Sequence, residues 1–198
     1  MLVTLLLLAA APLEMATVPA PVALIQEQQP LVDYARTERL ALEQVKAQLA
    51  ELGAWCQKNR AFLQRNRAYE TLLIWDVDHK EARKTLGWKR DRDTGAWQQK
   101  RKPRVPKDQS QGDADLAIAK RGEILTDLRE TLLAALDADE KVTVQKRQAV
   151  LAQLLLAMPN DPVLRGRNGQ VLRTGDKDGE QVWLLEASDR ALVKRKAL

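Results

Sequence analysis

Apolar residues recur at helical spacing in four long stretches of this chain, and short polar breaks separate them. The first stretch begins at Tyr34, and its apolar positions are Leu40, Leu42, Val45, Leu49 and Leu52. Charged residues fill the positions between them, which is typical of a helix with one buried face and one face in solvent. The same pattern predicts long helices over about 60–75, 115–136 and 141–158. Gly53 should weaken the first helix, and Asn59 should cap the second.

A short antiparallel hairpin is predicted after each pair of long helices. In the first hairpin, Trp88 and Trp97 flank a charged segment that ends in Asp93-Thr94-Gly95. In the second, Asp178-Gly179 lies between two runs of β-prone residues, at 171–172 and 182–184. Turn residues between such runs are a strong short-range signal for a hairpin.

The two halves of the chain match at a fixed offset. A shift of 82 positions places Leu73 on Leu155, Asp78 on Asn160, Arg83 on Arg165 and Gly87 on Gly169. Trp97 reaches Trp183 only if the second hairpin is four residues longer. Duplication explains these matches, and chance agreement among common residue types is the alternative. The predicted fold class is mainly α, with two helical-hairpin units that are each followed by a short β-hairpin.

These patterns divide the chain into five segments. Residues 1–23 are predicted to form a signal peptide, 24–97 the first unit with its hairpin, and 115–190 the second unit. Residues 98–114 form a basic and polar linker, whose first ten residues include five Lys or Arg and two Pro. Such a composition buries too little apolar area to order itself. Residues 191–198 are predicted to form a loose basic tail.

Two Leu-Gly pairs, at 52–53 and 86–87, lie 34 positions apart, and Tyr69 stands late in the second helix. These features resemble a tetratricopeptide repeat, with one unit over about 47–87 and a degenerate unit over about 125–169. Arg65, Val77 and Ala134-Ala135 depart from that pattern. The resemblance implies stacked helix pairs with a partner-binding surface, and it implies no chemistry. Trp55-Cys56 is also similar to helical pairs near the start of large exported bacterial proteins of unknown function.

Five of the eight aromatic residues are tryptophans, and four of these lie in the first unit. We therefore expect the better-packed core in that unit. Trp75, Trp88 and Trp97 are predicted to lie inside it, where truncation of a large side chain leaves a cavity.

The N-terminus has the pattern of an export signal. Residues 2–11 are apolar except for Thr4, and small residues with Pro follow at 16–23. The apolar run suits a signal peptide and is too short for a membrane span. Because no Lys or Arg precedes it, an uncleaved anchor and a disordered cytosolic tail stay open. The predicted location is the periplasm, the cell envelope or the medium.

Candidate catalytic and metal-binding residues are few. The only histidine, His79, follows Asp76 and Asp78 in a turn, where such residues more commonly cap a helix than hold a metal. Cys56, the only cysteine, forms no internal disulfide, and a helix should bury it, which favours a structural role over a thiol dyad. Residues 91–95 and 176–180 favour hairpin turns over calcium loops. We infer no catalytic residue, metal, cofactor or small-molecule substrate.

The segment from Lys80 to Lys107 holds 11 Lys or Arg against three Asp or Glu, a local charge of +8, with two Trp between them. The whole chain carries only +5. Basic residues interleaved with aromatic ones bind nucleic acid or other anionic surfaces. The possible anion-binding residues are Lys89, Arg90, Arg92, Lys100, Arg101, Lys102 and Arg104. A solvated hairpin whose Trp residues pack on the preceding helices is the simpler interpretation.

Three functions stay open on the sequence alone. The favoured one is an exported, non-catalytic interaction or scaffolding module that presents helix-pair surfaces to a protein partner. The second is a binder of anionic surfaces, whether glycan, lipid or nucleic acid, through residues 80–107, and the export signal argues against nucleic acid. The third is a metal-dependent or thiol enzyme. Membrane contact is expected only through an uncleaved N-terminus.

Overall fold

The computed structural model describes residues 33–107, 110–174 and 181–185. The elements are α1 Tyr34–Lys58, α2 Phe62–Trp75, α3 Lys80–Thr85, β1 Trp88–Arg90, β2 Trp97–Gln99, α4 Gln111–Ala138, α5 Val144–Ala157, α6 Pro162–Arg167, β3 Gln170–Thr174 and β4 Gln181–Leu185. Strand β1 pairs with β2 and β3 with β4, both antiparallel. The predicted fold class, mainly α with two short hairpins, is confirmed. The predicted signal peptide, the turn at Asp176–Gly179 and the basic tail lie outside the described residues.

None of the described helices combines the length and the apolar character needed to cross a membrane.

The ends of α1 are set by side-chain caps. The Asp33 carboxylate accepts hydrogen bonds from the backbone N–H groups of Ala35 and Arg36, which have no partner inside the helix. At the other end, the Asn59 side-chain amide donates to the carbonyl of Trp55 at 2.8 Å. The expectation that Asn59 caps α2 is therefore wrong, because Asn59 closes α1 and α2 begins after Ala61 without a side-chain cap.

Gly53 does not interrupt α1, and its lack of a side chain lets α2 approach closely. A Cβ atom at Gly53 would lie 2.4 Å from Cε1 of Tyr69, which is closer than two carbon atoms can pack. Tyr69 is itself buried against this position. Helix α1 packs along α2 on one side and along α4 on another, so it is the central helix of the molecule.

The offset of 82 residues reappears in the structure from α2 onward. Helices α2 and α5 each have 14 residues and α3 and α6 each have six, at matching positions. Gly87 and Gly169, which follow the short helices, have φ angles of +78° and +70°. The offset does not extend to α1 and α4. Val45 is buried in α1, whereas Asp127, 82 positions later, is exposed in α4.

One large hydrophobic cluster contains residues of both predicted units. Its fully buried members include Leu49 of α1, Leu72 of α2 and Leu154 of α5. Leu86, which follows α3, and Leu164 of α6 extend it to the short helices. Leu128, Leu132 and Leu136 of α4 complete it. The two units therefore share one core.

The tryptophans lie at the edge of this core. Trp75 and Trp88 are half-buried and pack against the large cluster, and Trp97 is also half-buried. The prediction that these three rings fill the interior is therefore wrong. Leucines fill it instead, because an indole carries a polar N–H group that needs a hydrogen-bond partner.

The segment predicted as a linker, residues 98–114, begins within β2 and ends within α4, which Ser110 caps. Residues 100–107 form no regular element and are attached to the helices. The backbone N–H of Lys100 donates to the carbonyl of Gly87 at 3.0 Å. The buried guanidinium of Arg65 donates to the carbonyl of Arg104 at 3.5 Å and to the side chains of Asn66 and Gln57.

Candidate anion-binding cleft

Arg83 of α3 attaches the first hairpin to the helices. Its side chain is buried, and its Nε donates to the carbonyl of Val77 at 2.7 Å. Its guanidinium carbon lies 4.6 Å from the centroid of the Trp88 ring and 5.3 Å from that of Trp97. Cations over indole rings are attracted by the negative ring face. Arg83 therefore fixes both rings with respect to α3.

Local hydrogen bonds hold the hairpin itself. Trp97 donates from Nε1 to the carboxylate of Asp78 at 2.7 Å. In the turn, Asp91 Oδ1 accepts from the backbone N–H groups of Asp93 and Thr94 and from the Thr94 hydroxyl. These hydrogen bonds lower the pKa of Asp91, because they favour its charged form. The hairpin-turn interpretation of residues 91–95 is confirmed, and Asp91 Oδ1 accepts three hydrogen bonds within the turn.

Gly87 lets the chain that leaves β2 return across the end of α3. A Cβ atom at Gly87 would lie 2.3 Å from the carbonyl oxygen of Arg101, and the φ angle of +78° also disfavours a side chain there. The close approach places Lys100 and Arg101 beside the junction of α3 and β1.

These contacts assemble a cleft of about 510 Å³ that we call the cationic cleft. Its lining residues are Lys80, Lys84, Gly87, Trp88, Lys89, Trp97, Lys100 and Arg101. Lys80 and Lys84 lie four positions apart on α3, which places them on the same helix face. Lys89 comes from β1, and the last two cations follow β2. No Asp or Glu is among the described residues that line the cleft.

Three of the five cations that line the cleft have no ion-pair partner among the described residues. Lys80, Lys84 and Lys89 are exposed and form no ion pair with a described carboxylate. Five like charges around one concave surface raise the local positive potential and attract anions. The two indole rings add flat apolar surface beside these charges, as in proteins that bind the backbone and rings of anionic polymers.

The second unit repeats the scaffold of the cleft. Arg165 of α6 donates from Nε to the carbonyl of Pro159 at 2.6 Å, and its guanidinium carbon lies 5.8 Å from the centroid of the Trp183 ring. These contacts correspond to those of Arg83 with Val77 and Trp97, whereas Gln170 stands at the position of Trp88. The strand registers agree as well, because Trp88 pairs with Gln99 and Gln170 pairs with Leu185.

The second unit does not repeat the charges. The positions that correspond to Lys80, Lys84 and Lys89 hold Pro162, Gly166 and Val171. With the hairpin four residues longer, Lys100 and Arg101 correspond to Glu186 and Ala187, which lie outside the described residues. The same scaffold therefore forms without cations at the three positions that the structure describes.

Three of the seven predicted anion-binding residues, Lys89, Lys100 and Arg101, meet in the cleft. Arg90 instead donates from Nε to the carbonyl of Gly95 at 2.9 Å, and its guanidinium lies over the Trp97 ring. The remaining three are exposed and line no part of the cleft: Arg92, Lys102 and Arg104. The predicted set omitted Lys80 and Lys84, which their four-residue spacing on a short helix would have indicated.

The other candidate residues have structural roles. His79 caps α3, because its Nδ1 accepts from the backbone N–H of Ala82 at 3.2 Å, which confirms the cap interpretation. Cys56 is fully buried among apolar side chains, and burial raises the pKa of its thiol to about 11. Within the described ranges, no group of three or more His, Cys, Asp or Glu side chains is placed to hold a metal ion.

Comparison of the chain with protein-family models, with curated proteins and with solved structures finds no match. What the cleft binds is therefore inferred from its own residues and from the contrast between the two units.

Proposed function

We propose that this protein is a non-catalytic interaction module and that the cationic cleft is its binding surface for anionic groups. The supporting observation is the contrast between the units. Both have an arginine over a tryptophan ring, but the second unit has no lysine at the positions equivalent to Lys80, Lys84 and Lys89. Clustered cations repel each other and lower the stability of the folded chain. A ligand of opposite charge relieves that repulsion, which accounts for lysines that the scaffold does not need.

The proposed ligand is an anionic polymer or surface that carries sulfate, phosphate or carboxylate groups. Cations continue beyond the cleft along the same segment, at Arg92, Lys102 and Arg104, and all three are exposed. A ligand with repeated charges would contact several of them together, whereas a small anion would contact few. The apolar run at residues 2–11 further supports export, which would bring the protein into contact with glycans and lipid headgroups.

A binding role fits the remaining reactive groups better than catalysis does. The buried thiol of Cys56 is protonated at neutral pH, since its pKa is raised to about 11. The imidazole of His79 is engaged in capping α3. These two side chains serve the fold, which favours a binding module over a thiol enzyme.

Direct titration with three probes tests this proposal: heparin, a single-stranded oligonucleotide and vesicles that contain phosphatidylglycerol. The variant Lys84→Ala/Lys89→Ala removes two cleft charges, and Lys58→Ala/Lys141→Ala removes two exposed charges elsewhere. We expect at least one probe to bind the parent and the control variant alike, and the cleft variant about tenfold more weakly. Equal affinity of the two variants, or no binding of any probe to the parent, would contradict the proposal.

A further inference from the structure

We infer that a second surface, the groove between α1 and α4, binds a basic amphipathic helix of a partner protein. This inference goes beyond anion binding and does not depend on it, because the groove and the cationic cleft share no lining residue. It gives the helix-pair surface expected from the sequence a definite location and a partner of definite chemistry.

The groove is long and has an apolar floor. Two cavities of about 200 and 410 Å³ adjoin each other, since both are lined by Gln48, Ile124 and Asp127. The apolar lining residues are Leu40, Ala41, Val45, Leu52, Trp55, Ile124 and Leu128. Along α1 the lining extends from Thr37 to Trp55, which corresponds to about 27 Å at 1.5 Å per residue. This length accommodates a partner helix of roughly five turns.

Part of the apolar lining remains open to solvent. Leu40 is 50% exposed, and Trp55 and Ile124 are half-buried. A strip of accessible apolar side chains between polar rims is typical of a protein-binding groove. The exposed strip gives a partner helix three places to insert apolar side chains.

The rim of the groove is acidic. Glu51, Glu123 and Asp127 line it and are exposed, against a single lining cation, Lys120. None of the three carboxylates forms an ion pair with another described residue. Charge complementarity across an interface selects partners and speeds their association. The partner should therefore carry Lys or Arg on both sides of its apolar stripe.

A helix fits this groove better than an extended strand. The backbone groups of α1 and α4 are paired inside their own helices, so the groove walls offer side chains only. A strand bound there would leave its own N–H and C=O groups without partners. A helix pairs its backbone internally and presents apolar side chains three and four positions apart, as helix-in-groove complexes do.

Two synthetic peptides of 18 residues test the inference. Both contain only Leu and Lys in equal proportions; in one, Leu recurs at helical spacing along one face, and in the other the same residues are dispersed around the helix. The variant Glu123→Lys/Asp127→Lys reverses two rim charges. The control Glu43→Lys/Glu140→Lys reverses two exposed charges outside the groove. Binding is measured by the anisotropy of labelled peptide, and folding by circular dichroism.

We expect the parent and the control to bind the amphipathic peptide at least tenfold more tightly than they bind the dispersed peptide. The rim variant should bind the amphipathic peptide at least tenfold more weakly than the parent does. The Lys84→Ala/Lys89→Ala variant should bind the amphipathic peptide as the parent does, which separates this inference from the cleft. Equal binding of the two peptides, or unchanged binding to a folded rim variant, would overturn it. A dimer of the protein that Leu40→Glu dissociates would also overturn it, because a second molecule would then occupy the groove.

Discussion

Charged side chains have two different uses in this molecule, and Arg83 and Lys84 show the contrast. Arg83 is buried, donates to a carbonyl and lies over two indole rings, and Arg165 repeats the carbonyl contact and one of the ring contacts in the second unit. Lys84, its neighbour, is exposed, lines the cationic cleft and corresponds to Gly166 in the second unit. The arginine therefore belongs to the scaffold, and the lysine to the proposed function.

Replacement of Arg83 should destabilise the first hairpin. Arg83→Ala removes the hydrogen bond to Val77 and both ring contacts, and we expect a loss of about 2–4 kcal/mol in the free energy of unfolding. Arg83→Lys should recover less than half of it, because an ammonium lacks the planar face of a guanidinium. Denaturant unfolding of both variants, with Arg92→Ala as the exposed control, measures these differences. Full stability in Arg83→Ala would show that the hairpin is held by other contacts.

The buried thiol of Cys56 should make stability depend on alkaline pH. Its pKa is raised from 9.0 to about 11 in the folded chain, so above pH 9 the unfolded chain loses this proton first. The stabilisation is complete below about pH 9 and disappears as pH rises through about 11, a loss of at most about 2–3 kcal/mol. Burial also raises the pKa values of Tyr34 and Tyr69, which adds a loss of the same sign.

Comparison with Cys56→Ala isolates the thiol from the tyrosines. The difference in unfolding free energy between the parent and this variant should shrink between pH 9 and 11, as measured by urea denaturation at each pH. A difference that stays constant over that range would show that the thiol titrates equally in both states.

Residue roles were predictable where they depend on neighbours along the chain. The cap at His79 and the turn at Asp91 are local, since each side chain bonds to backbone groups within three positions. The position of Trp97 over Arg83 was not predictable in this way. It depends on how the hairpin folds back onto α3, which brings together residues that are 14 positions apart.

The helices and hairpins are the scale at which the sequence was most informative. Periodic apolar positions located the long helices, and Asp178-Gly179 between β-prone residues located the second hairpin, whose strands β3 and β4 are paired. Asn59 ends α1 instead of beginning α2, and the cause of this difference from the prediction is tertiary. Gly53 is a poor helix former, but Tyr69 fills the space beside it and keeps α1 continuous.

Gly87 and Gly169 provide a matched pair for testing the return of the chain across α3. Both have positive φ angles. Among the described residues, an added Cβ atom at Gly87 would meet a backbone atom, the Arg101 carbonyl oxygen, at 2.3 Å, whereas one at Gly169 would meet none. Gly169→Ala should cost about 1 kcal/mol, from the φ angle alone. Gly87→Ala should cost clearly more, because the segment at Arg101 must also move. Thermal melts of the two variants measure this, and equal costs would argue against the close approach.

At the scale of the whole molecule, the two units fold around one core. The sequence indicated the duplication but did not indicate that the two units share a core. The contact of α4 with α1 follows neither the offset nor any local pattern. Buried leucines alone do not show which helix they face.

A shared core predicts cooperative unfolding. Leu72 and Leu154 are equivalent residues of α2 and α5, and both are fully buried in the large cluster. Leu72→Ala and Leu154→Ala should each cost about 2–5 kcal/mol, and each should leave one unfolding transition. Coincident curves from tryptophan fluorescence and far-UV circular dichroism would show this. Two separate transitions in either variant would mean that the units unfold independently.

The salt dependence of anion binding tests the cationic cleft most directly. Each lysine that contacts a charged polymer releases bound counterions, so its removal should flatten the plot of log affinity against log salt by about 0.7–0.9. For heparin, or whichever probe binds the parent, we predict a slope about 1–2 units shallower for Lys84→Ala/Lys89→Ala than for the parent. Lys58→Ala/Lys141→Ala should keep the slope of the parent. Equal slopes for the parent and the cleft variant would contradict the account, because the lysines of the cleft would then make no contact with the anion.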